Sequence, residues 1–159
     1  MLISLGERTA ETAAAYFQRT RTPLIQKMLP QRAQTLEEAL ADYQRTLEPG
    51  AKSFGRTIRA DGAYAGDVWC YGMDREGEPQ AMVSYCVLEP SLWGRGAATE
   101  ALRLFLEEIQ ERFGLERIGA FTYAENTASI RVLEKNGFRL LEAFSENGRE
   151  SRYYQLNNE

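Results

Sequence analysis

The sequence predicts an α/β fold: a mixed, mostly antiparallel sheet flanked by helices. Three observations predict it. Between Ser53 and Leu88, strand-like segments are separated by Asp61-Gly62 and by the polar stretch from Asp74 to Pro79, the pattern of an antiparallel meander. The segment Leu92-Trp93-Gly94-Arg95-Gly96-Ala97-Ala98-Thr99 then brings two glycines one residue apart and runs into helical spacing. After that helix, Ile118 to Tyr123 supplies a strand that returns in parallel with Ala81–Leu88, a right-handed β-α-β unit. Lastly, Asn147-Gly148 joins Arg139–Phe144 to Arg149–Leu156, a strong hairpin signal.

Each element has its own reason. Met1 to Leu5 reads as a short strand, and Thr9 to about Arg19 as a helix whose apolar side is Ala13, Ala14, Tyr16 and Phe17. Pro23 and Pro30 break up the next stretch. In Thr35-Leu36-Glu37-Glu38 the threonine hydroxyl accepts from the N–H of Glu38 while that glutamate reaches back, a capping box. Leu36, Ala39, Leu40, Tyr43 and Leu47 fall on one face of the helix that follows, and Pro49-Gly50 stops it. Three strands come next: Ser53 to Arg59, Gly66 to Tyr71 and Ala81 to Leu88. With the last turn centred near Glu78, Cys70 and Cys86 lie opposite each other, as small core or cleft residues. The helix after the double-glycine loop buries Ala98, Ala101, Leu102, Phe105, Ile109 and Phe113, and Gly114 caps it. Asn126 is placed as the N-cap of the last helix. Asn136-Gly137-Phe138 closes that helix, with Phe138 folding back on Leu133. Repeats, low-complexity tracts and linkers are absent, so the expectation is one domain over residues 1–159.

Composition bounds the function. A chain of 159 residues with 43% hydrophobic and 26% charged residues is long enough to bury a core of its own. The net charge of −4 argues against a general nucleic-acid binder and suits a cationic amine as partner. No apolar run is long enough to span a bilayer, and no secretory leader is apparent, so no membrane partner is expected. Two cysteines are too few for a disulfide framework, which makes reduced thiols in a cytoplasmic protein the default. The chain has no histidine, which removes His-based nucleophile activation and most zinc chemistry; no metal site is expected.

The double-glycine loop ends at a helix N-terminus, where unpaired N–H groups and the helix dipole suit a phosphate or pyrophosphate. One strand further on comes Glu125-Asn126-Thr127-Ala128-Ser129-Ile130-Arg131-Val132-Leu133-Glu134-Lys135-Asn136-Gly137-Phe138. Together the two segments resemble the signature motifs of the GNAT family of acyl-CoA-dependent N-acetyltransferases. They are most similar to the branch that includes the ribosomal-protein N-terminal acetyltransferases (Rim-type). The usual family pattern has Gln or Arg where Trp93 stands, whereas that branch has Trp. The resemblance covers the second half of the chain well and the first half only in general layout. It implies the GNAT fold, with a central splay between two parallel strands.

The resemblance also implies a site. Trp93, Gly94, Arg95, Gly96, Ala97, Ala98 and Thr99 would hold the pyrophosphate of acetyl-CoA. The pantetheine arm would pair with the backbone of Cys86, Val87 and Leu88, as in β-strand addition. Asn126 would bond the same arm, and Ser129 would stand near the sulfur and protonate the leaving thiolate. Many relatives place a tyrosine one turn further along; Leu133 stands there. The glutamate that many relatives carry before the loop has no equivalent in Ala81-Met82-Val83-Ser84-Tyr85. The carboxylates left as bases are Glu89, Asp67 and Glu125; Glu89 joins Ser129 as a candidate catalytic residue, with the assignment open among the three. Deprotonating an alkylammonium of pKa ~10.4 at neutral pH costs roughly 4–5 kcal/mol, against about 1 for an α-amine near ~7.8. An α-amine therefore asks little of a base.

The reading is direct transfer of an acetyl group from acetyl-CoA to a primary amine in a ternary complex. The acceptor, a small molecule or a peptide, is left open among a polyamine, an antibiotic amine, an amino acid and a protein N-terminus. Homodimers are common among relatives, but nothing in the sequence marks an interface. The rival readings are a non-catalytic acyl-CoA-binding module and a structural domain in which both motifs are turn and cap chemistry.

Overall fold

A computed structural model describes residues 1–29 and 32–157. Seven strands form one sheet: β1 (Ile3–Gly6), β2 (Phe54–Ala60), β3 (Ala63–Asp74), β4 (Gln80–Val87), β5 (Arg117–Tyr123), β6 (Arg139–Glu146) and β7 (Arg149–Asn157), in the order β1-β2-β3-β4-β5-β7-β6. Every neighbouring pair is antiparallel except β4 and β5, which run parallel. Among the described residues five α-helices accompany them: α1 (Ala10–Arg19), α2 (Pro23–Met28), α3 (Leu36–Arg45), α4 (Ala97–Phe113) and α5 (Thr127–Lys135). Among the described residues no helix is long and apolar enough to cross a membrane.

The two tight hairpins use one device. Asp61 and Gly62 turn β2 into β3 at φ of 50° and 85°, and Asn147 and Gly148 turn β6 into β7 at 52° and 79°. Two successive left-handed residues match the twist of the strands they join, which is why Asp/Asn-Gly stands at both places.

The core lies between the sheet and α4. Ala101, Leu102, Phe105 and Ile109 of α4 are fully buried against Ile58, Val68, Val83 and Ile118. The leucine, isoleucine, valine and phenylalanine side chains among them each contribute about 1.5–3 kcal/mol on burial. Phe54 stacks on Phe105 at 6.0 Å and meets the edge of Phe113 at 5.6 Å, closing the far end. Strand residues alternate between faces, so Trp69 points away from Val68 and Cys70 and receives the edge of Tyr16 from α1 at 5.8 Å. Helix α3 is tied in by the Tyr43 hydroxyl, which donates to the carbonyl of Arg8 at 3.2 Å.

Several expectations need correcting. Cys70 pairs with Val83, and Cys86 pairs with Asp67, so the two thiols are three register positions apart rather than opposite. The pair Asp74↔Gln80 centres the turn at Gly77 rather than Glu78, and an irregularity in β3 between Tyr71 and Asp74 shifts the pairing by one further position. Pro23 starts a helix rather than breaking one: its missing N–H costs nothing in a first turn, and Thr22 caps it. Pro30 lies outside the described residues. Helix α3 ends at Arg45, where the Thr46 hydroxyl bonds back to the carbonyl of Tyr43 at 2.6 Å, well before Pro49-Gly50. Leu47 is consequently off the helix and 61% exposed. At Thr35 the hydroxyl takes the N–H of Glu38, but Glu38 reaches one residue further back, to the N–H of Gln34. The reciprocal box closes on α1 instead, between Thr9 and Thr12.

Candidate active site

The parallel pair β4–β5 is the feature from which the site is built. Its register runs only from Gln80↔Arg117 to Met82↔Gly119; beyond that, β4 and β5 part. Gly119 marks the last paired position, where a side chain would meet the Tyr153 phenol at 2.5 Å. The N–H of Leu88 donates to Ala65 on β3 at 2.7 Å. Alternation along an antiparallel strand then turns the backbone of Cys86 toward β3 and that of Tyr85 and Val87 toward the gap.

The loop from Trp93 to Gly96 is pinned to this gap. After a short 3-10 turn over Pro90–Leu92, the Trp93 indole N–H donates to the Val87 carbonyl at 2.8 Å. Gly94 and Gly96 take φ of 76° and 85°, a left-handed backbone open to glycine, and α4 begins directly behind them. On the other wall, the Asn126 side chain accepts the N–H of Ser129 at 3.2 Å and so caps α5. The far end of α5 closes as a Schellman motif, with Phe138 N–H on Leu133 and Gly137 N–H on Glu134, both at 3.0 Å. The Asn136 amide donates to the Thr99 carbonyl at 3.2 Å, fixing α5 to the first turn of α4.

Two cavities meet where the strands part. A groove of about 450 Å³ runs between the loop, β4 and α5. A pocket of about 570 Å³ opens on the far side, between β4, β5 and the end of β6. Both sizes are usual for small-molecule sites. Met28, Tyr85, Asn126 and Ser129 border both, so the groove and the pocket adjoin at those four residues. A third cavity, under α1 and α3, shares Leu29, Tyr71 and Ser84 with the pocket.

Of the residues singled out for the cofactor, Cys86, Val87, Trp93, Gly94, Gly96, Ala97, Ala98, Thr99 and Asn126 line the groove. Two stand apart: Leu88 is buried with its N–H committed to β3, and Arg95 is exposed and borders none of the three cavities. Ser129 sits at the junction. Its hydroxyl is 2.8 Å from that of Tyr85, which also donates to the Ser129 carbonyl at 3.2 Å. Burial raises the Tyr85 phenol well above its ordinary range, and the bond to Ser129 offsets part of that.

The three carboxylates have different surroundings. Asp67 is 3% exposed, with Arg8 Nε at 2.8 Å and the Tyr64 hydroxyl donating to it at 2.6 Å. Burial pushes its carboxyl upward, against the lowering pull of Arg8 and Tyr64. Glu125 is paired with Arg149. Glu89 is 3.6 Å from Arg19, has a half-exposed side chain, accepts from the Ser91 hydroxyl at 3.3 Å, and borders none of the three cavities.

Sequence reasoning missed three groups. Tyr85 lies on β4 rather than on α5 one turn after Ser129, where the resemblance places a tyrosine; alternation along β4 is the signal that points to it. Arg131 and Lys135 both border the groove, and their spacing of four on α5 puts them on one face. Helix α2, whose Leu24, Ile25 and Met28 border the groove, was hidden by its proline.

An acetyltransferase (GNAT) domain model matches residues 5–139. A Bacillus subtilis protein, "Probable N-acetyltransferase YjcK", is 33% identical over 100 residues, covering 62% of this chain and 55% of that protein. This chain thus matches little more than half the length of that relative. Among solved structures, the spermidine N-acetyltransferase of Vibrio cholerae, in complex with CoA and spermine, superposes with a TM-score of 0.84. Its identity is 14%, covering 98% of this chain and 95% of the other. RimL, the ribosomal L7/L12 alpha-N-protein acetyltransferase in complex with coenzyme A, gives 0.78 at 19% identity, covering 98% and 93%. At such identities the likeness is one of fold: a sheet with one parallel pair, flanked by helices.

Proposed function

The chain belongs to the acetyltransferase (GNAT) domain family, and from that premise we propose that it transfers an acetyl group from acetyl-CoA to a primary amine. The transfer is a direct attack in a ternary complex, carried out by residues 1–159 as one domain. The observation that carries this reading is the junction of groove and pocket at Tyr85 and Ser129. A thioester arriving along the groove stops there within reach of an amine arriving from the other side.

The pyrophosphate lies on the loop of Gly94 and Gly96 and on the first N–H groups of α4. Arg131 and Lys135 add positive charge along the groove. The pantetheine arm pairs with the gap-facing backbone of Tyr85 and Val87 rather than with Cys86 and Leu88, whose groups turn toward β3. Since Trp93 already holds the Val87 carbonyl, that carbonyl is fixed in direction before the arm arrives. Asn126 offers its amide at the junction. The amine nitrogen attacks the thioester carbon, the carbon–sulfur bond breaks, and Ser129 gives its proton to the departing thiolate. The Tyr85 phenol, held protonated by burial and 2.8 Å from the Ser129 oxygen, replaces the proton that Ser129 gives up, and the proton released by the amine returns through solvent to restore the phenol.

The acceptor that fits best is a weakly basic amine, such as an α-amine on a small molecule or peptide. Asp67 and Glu125 are both committed to arginines. Glu89, the most loosely held, is kept as the candidate base, acting through water. An α-amine near ~7.8 surrenders its proton with that little help, and positioning supplies most of the acceleration. The Trp93-containing loop motif supports the Rim-type branch, which includes the ribosomal-protein N-terminal acetyltransferases, and so adds a protein N-terminus to the acceptors to be tested. A cytoplasmic location suits the two free thiols.

The test is purified protein with acetyl-CoA and a panel of amines: a polyamine, an aminoglycoside, amino acids and short peptides with free N-termini. Amine-dependent release of free thiol, greatest with the α-amines, is the expected result. Tight binding without release from any amine would favour the non-catalytic module, and no binding of acetyl-CoA would overturn the reading.

A further inference from the structure

Arg149 opens β7, immediately after the Asn147-Gly148 turn, and its guanidinium meets three separate elements. Nη1 donates to the backbone carbonyl of Lys27, in the last turn of α2, at 3.1 Å. Nη2 pairs with the Glu125 carboxylate, in the turn that leads from β5 to α5. The group also lies 3.5 Å from the ring centroid of Tyr123, the last residue of β5. A planar cation with several donors in a fixed fork can serve all three at once; a lysine ammonium cannot.

Helix α2 needs such an anchor. It has six residues, of which only Ile25 is buried, and an isolated helix of that length is not stable. Its last carbonyls lack intrahelical partners, and the arginine supplies one where the helix dipole favours a cation. Yet α2 forms part of the wall of the site. Leu24, Ile25 and Met28 border the groove, and Met28 also borders the pocket. At the other end of the contact, Glu125 adjoins Asn126, which caps α5 and so fixes Ser129.

We propose that Arg149 is a positioning residue: it clasps α2 to the Tyr123–Glu125 segment and holds covered the passage where groove and pocket meet. The inference rests on the transfer reading for what the passage carries; the clasp itself is a property of the fold. Losing it leaves the reacting groups in place but makes each substrate close the cover at the expense of its own binding. Such a loss appears in KM and not in kcat.

The experiment compares the wild type with Arg149→Met, which keeps an unbranched apolar stem without the guanidinium, and with Arg149→Lys. Amide hydrogen exchange over residues 23–29 is followed without substrate, alongside melting temperature and steady-state kinetics. In Arg149→Met, exchange in α2 is expected to accelerate while that of α4 stays unchanged. KM for acetyl-CoA and for the amine should each rise about fivefold, a loss of about 1 kcal/mol in binding, with kcat retained. Arg149→Lys, able to serve one partner at a time, should fall between. Unchanged exchange in α2 overturns the clasp, as does a fall in kcat at constant KM. Should Arg149→Met not fold, Glu125→Gln removes one anchor while leaving Arg149 in place. Faster exchange in α2 then supports the clasp, and an unchanged rate overturns it. If the wild type does not bind acetyl-CoA, the transfer reading falls, and the exchange rates still decide the clasp.

Discussion

The Tyr85 hydroxyl stands 2.8 Å from that of Ser129, bridging the end of β4 and the first turn of α5 across the gap between the parallel strands. Neither hydroxyl has an acidity suited to protonating a thiolate by itself. Coupled, they form a short donor chain in a partly buried place, where hydrogen bonds polarise one another.

Tyr85→Phe and Ser129→Ala should therefore each lower kcat by ~10²-fold, the low end of what general acid help supplies. The double variant should lose little more than either one, because the two groups act as a unit. The measurement is kcat and KM in all four forms of the cycle. Losses that multiply would separate the two residues into independent roles. Because burial raises the Tyr85 phenol, its ionisation should produce no fall in kcat between pH 7 and 9.

Gly66 faces the same strand end from β3. A methyl group there would lie 2.0 Å from the Cys86 carbonyl oxygen, a backbone atom that moves only with β4 itself. Gly66→Ala should cost about 2–3 kcal/mol in urea unfolding and weaken acetyl-CoA binding as β4 shifts. Gly62→Ala is the comparison, since nothing lies within 4 Å of its missing side chain. Its left-handed turn position should cost only about 1–2 kcal/mol. Equal losses would mean that the close contact at Gly66 is relieved at no cost.

The second half of the chain was legible because its signals are local. Asn126 as cap, Gly137 and Phe138 as Schellman pair, and Asn147-Gly148 as hairpin each depend on residues a few positions apart. What escaped depends on register and on distant partners. The three-position offset of Cys70 from Cys86 follows from a turn centred at Gly77 rather than Glu78 and from a one-position shift at the irregularity in β3, both set by pairing across the strands. Tyr85 acquires a role only once α5 lies across from it, 44 positions later in the chain. Asp67 was visible as a carboxylate, but its partner Arg8 lies 59 positions earlier and passes beside Gly55 to reach it.

That partnership carries a stability prediction. Arg8 and Asp67 are both largely withdrawn from water, with side chains 18% and 4% exposed. Asp67→Ala strands the guanidinium and also leaves the Tyr64 hydroxyl without its acceptor. Breaking a buried pair by removing one member costs about 3–5 kcal/mol, and urea unfolding should read a loss of that order. Asp67→Asn retains an oxygen for Tyr64 and should lose less. Equal losses in the two variants would remove the Tyr64 bond from the account.

Cys86 borders the groove opposite Asp67, and the protein holds its thiol proton tightly. Burial, with the nearby Asp67 charge, pushes it up to about 12, and Arg19 offsets only a part. The folded form thus keeps a proton that the unfolded chain gives up near ~8.5. The stability this contributes is fully present below that pH and is lost as pH climbs from ~8.5 toward 12. Urea midpoints should therefore fall between pH 8 and 10 in the wild type, and less steeply in Cys86→Ala. Since the thiolate is the reactive form, alkylation of native Cys86 by iodoacetamide should be slow at pH 7.5 and rise about tenfold per pH unit through pH 10. Acetyl-CoA in the groove should slow it further. Labelling that levels off near pH 9, read by mass spectrometry of the Cys86 peptide, would show the thiol to be far less shielded than its surroundings indicate.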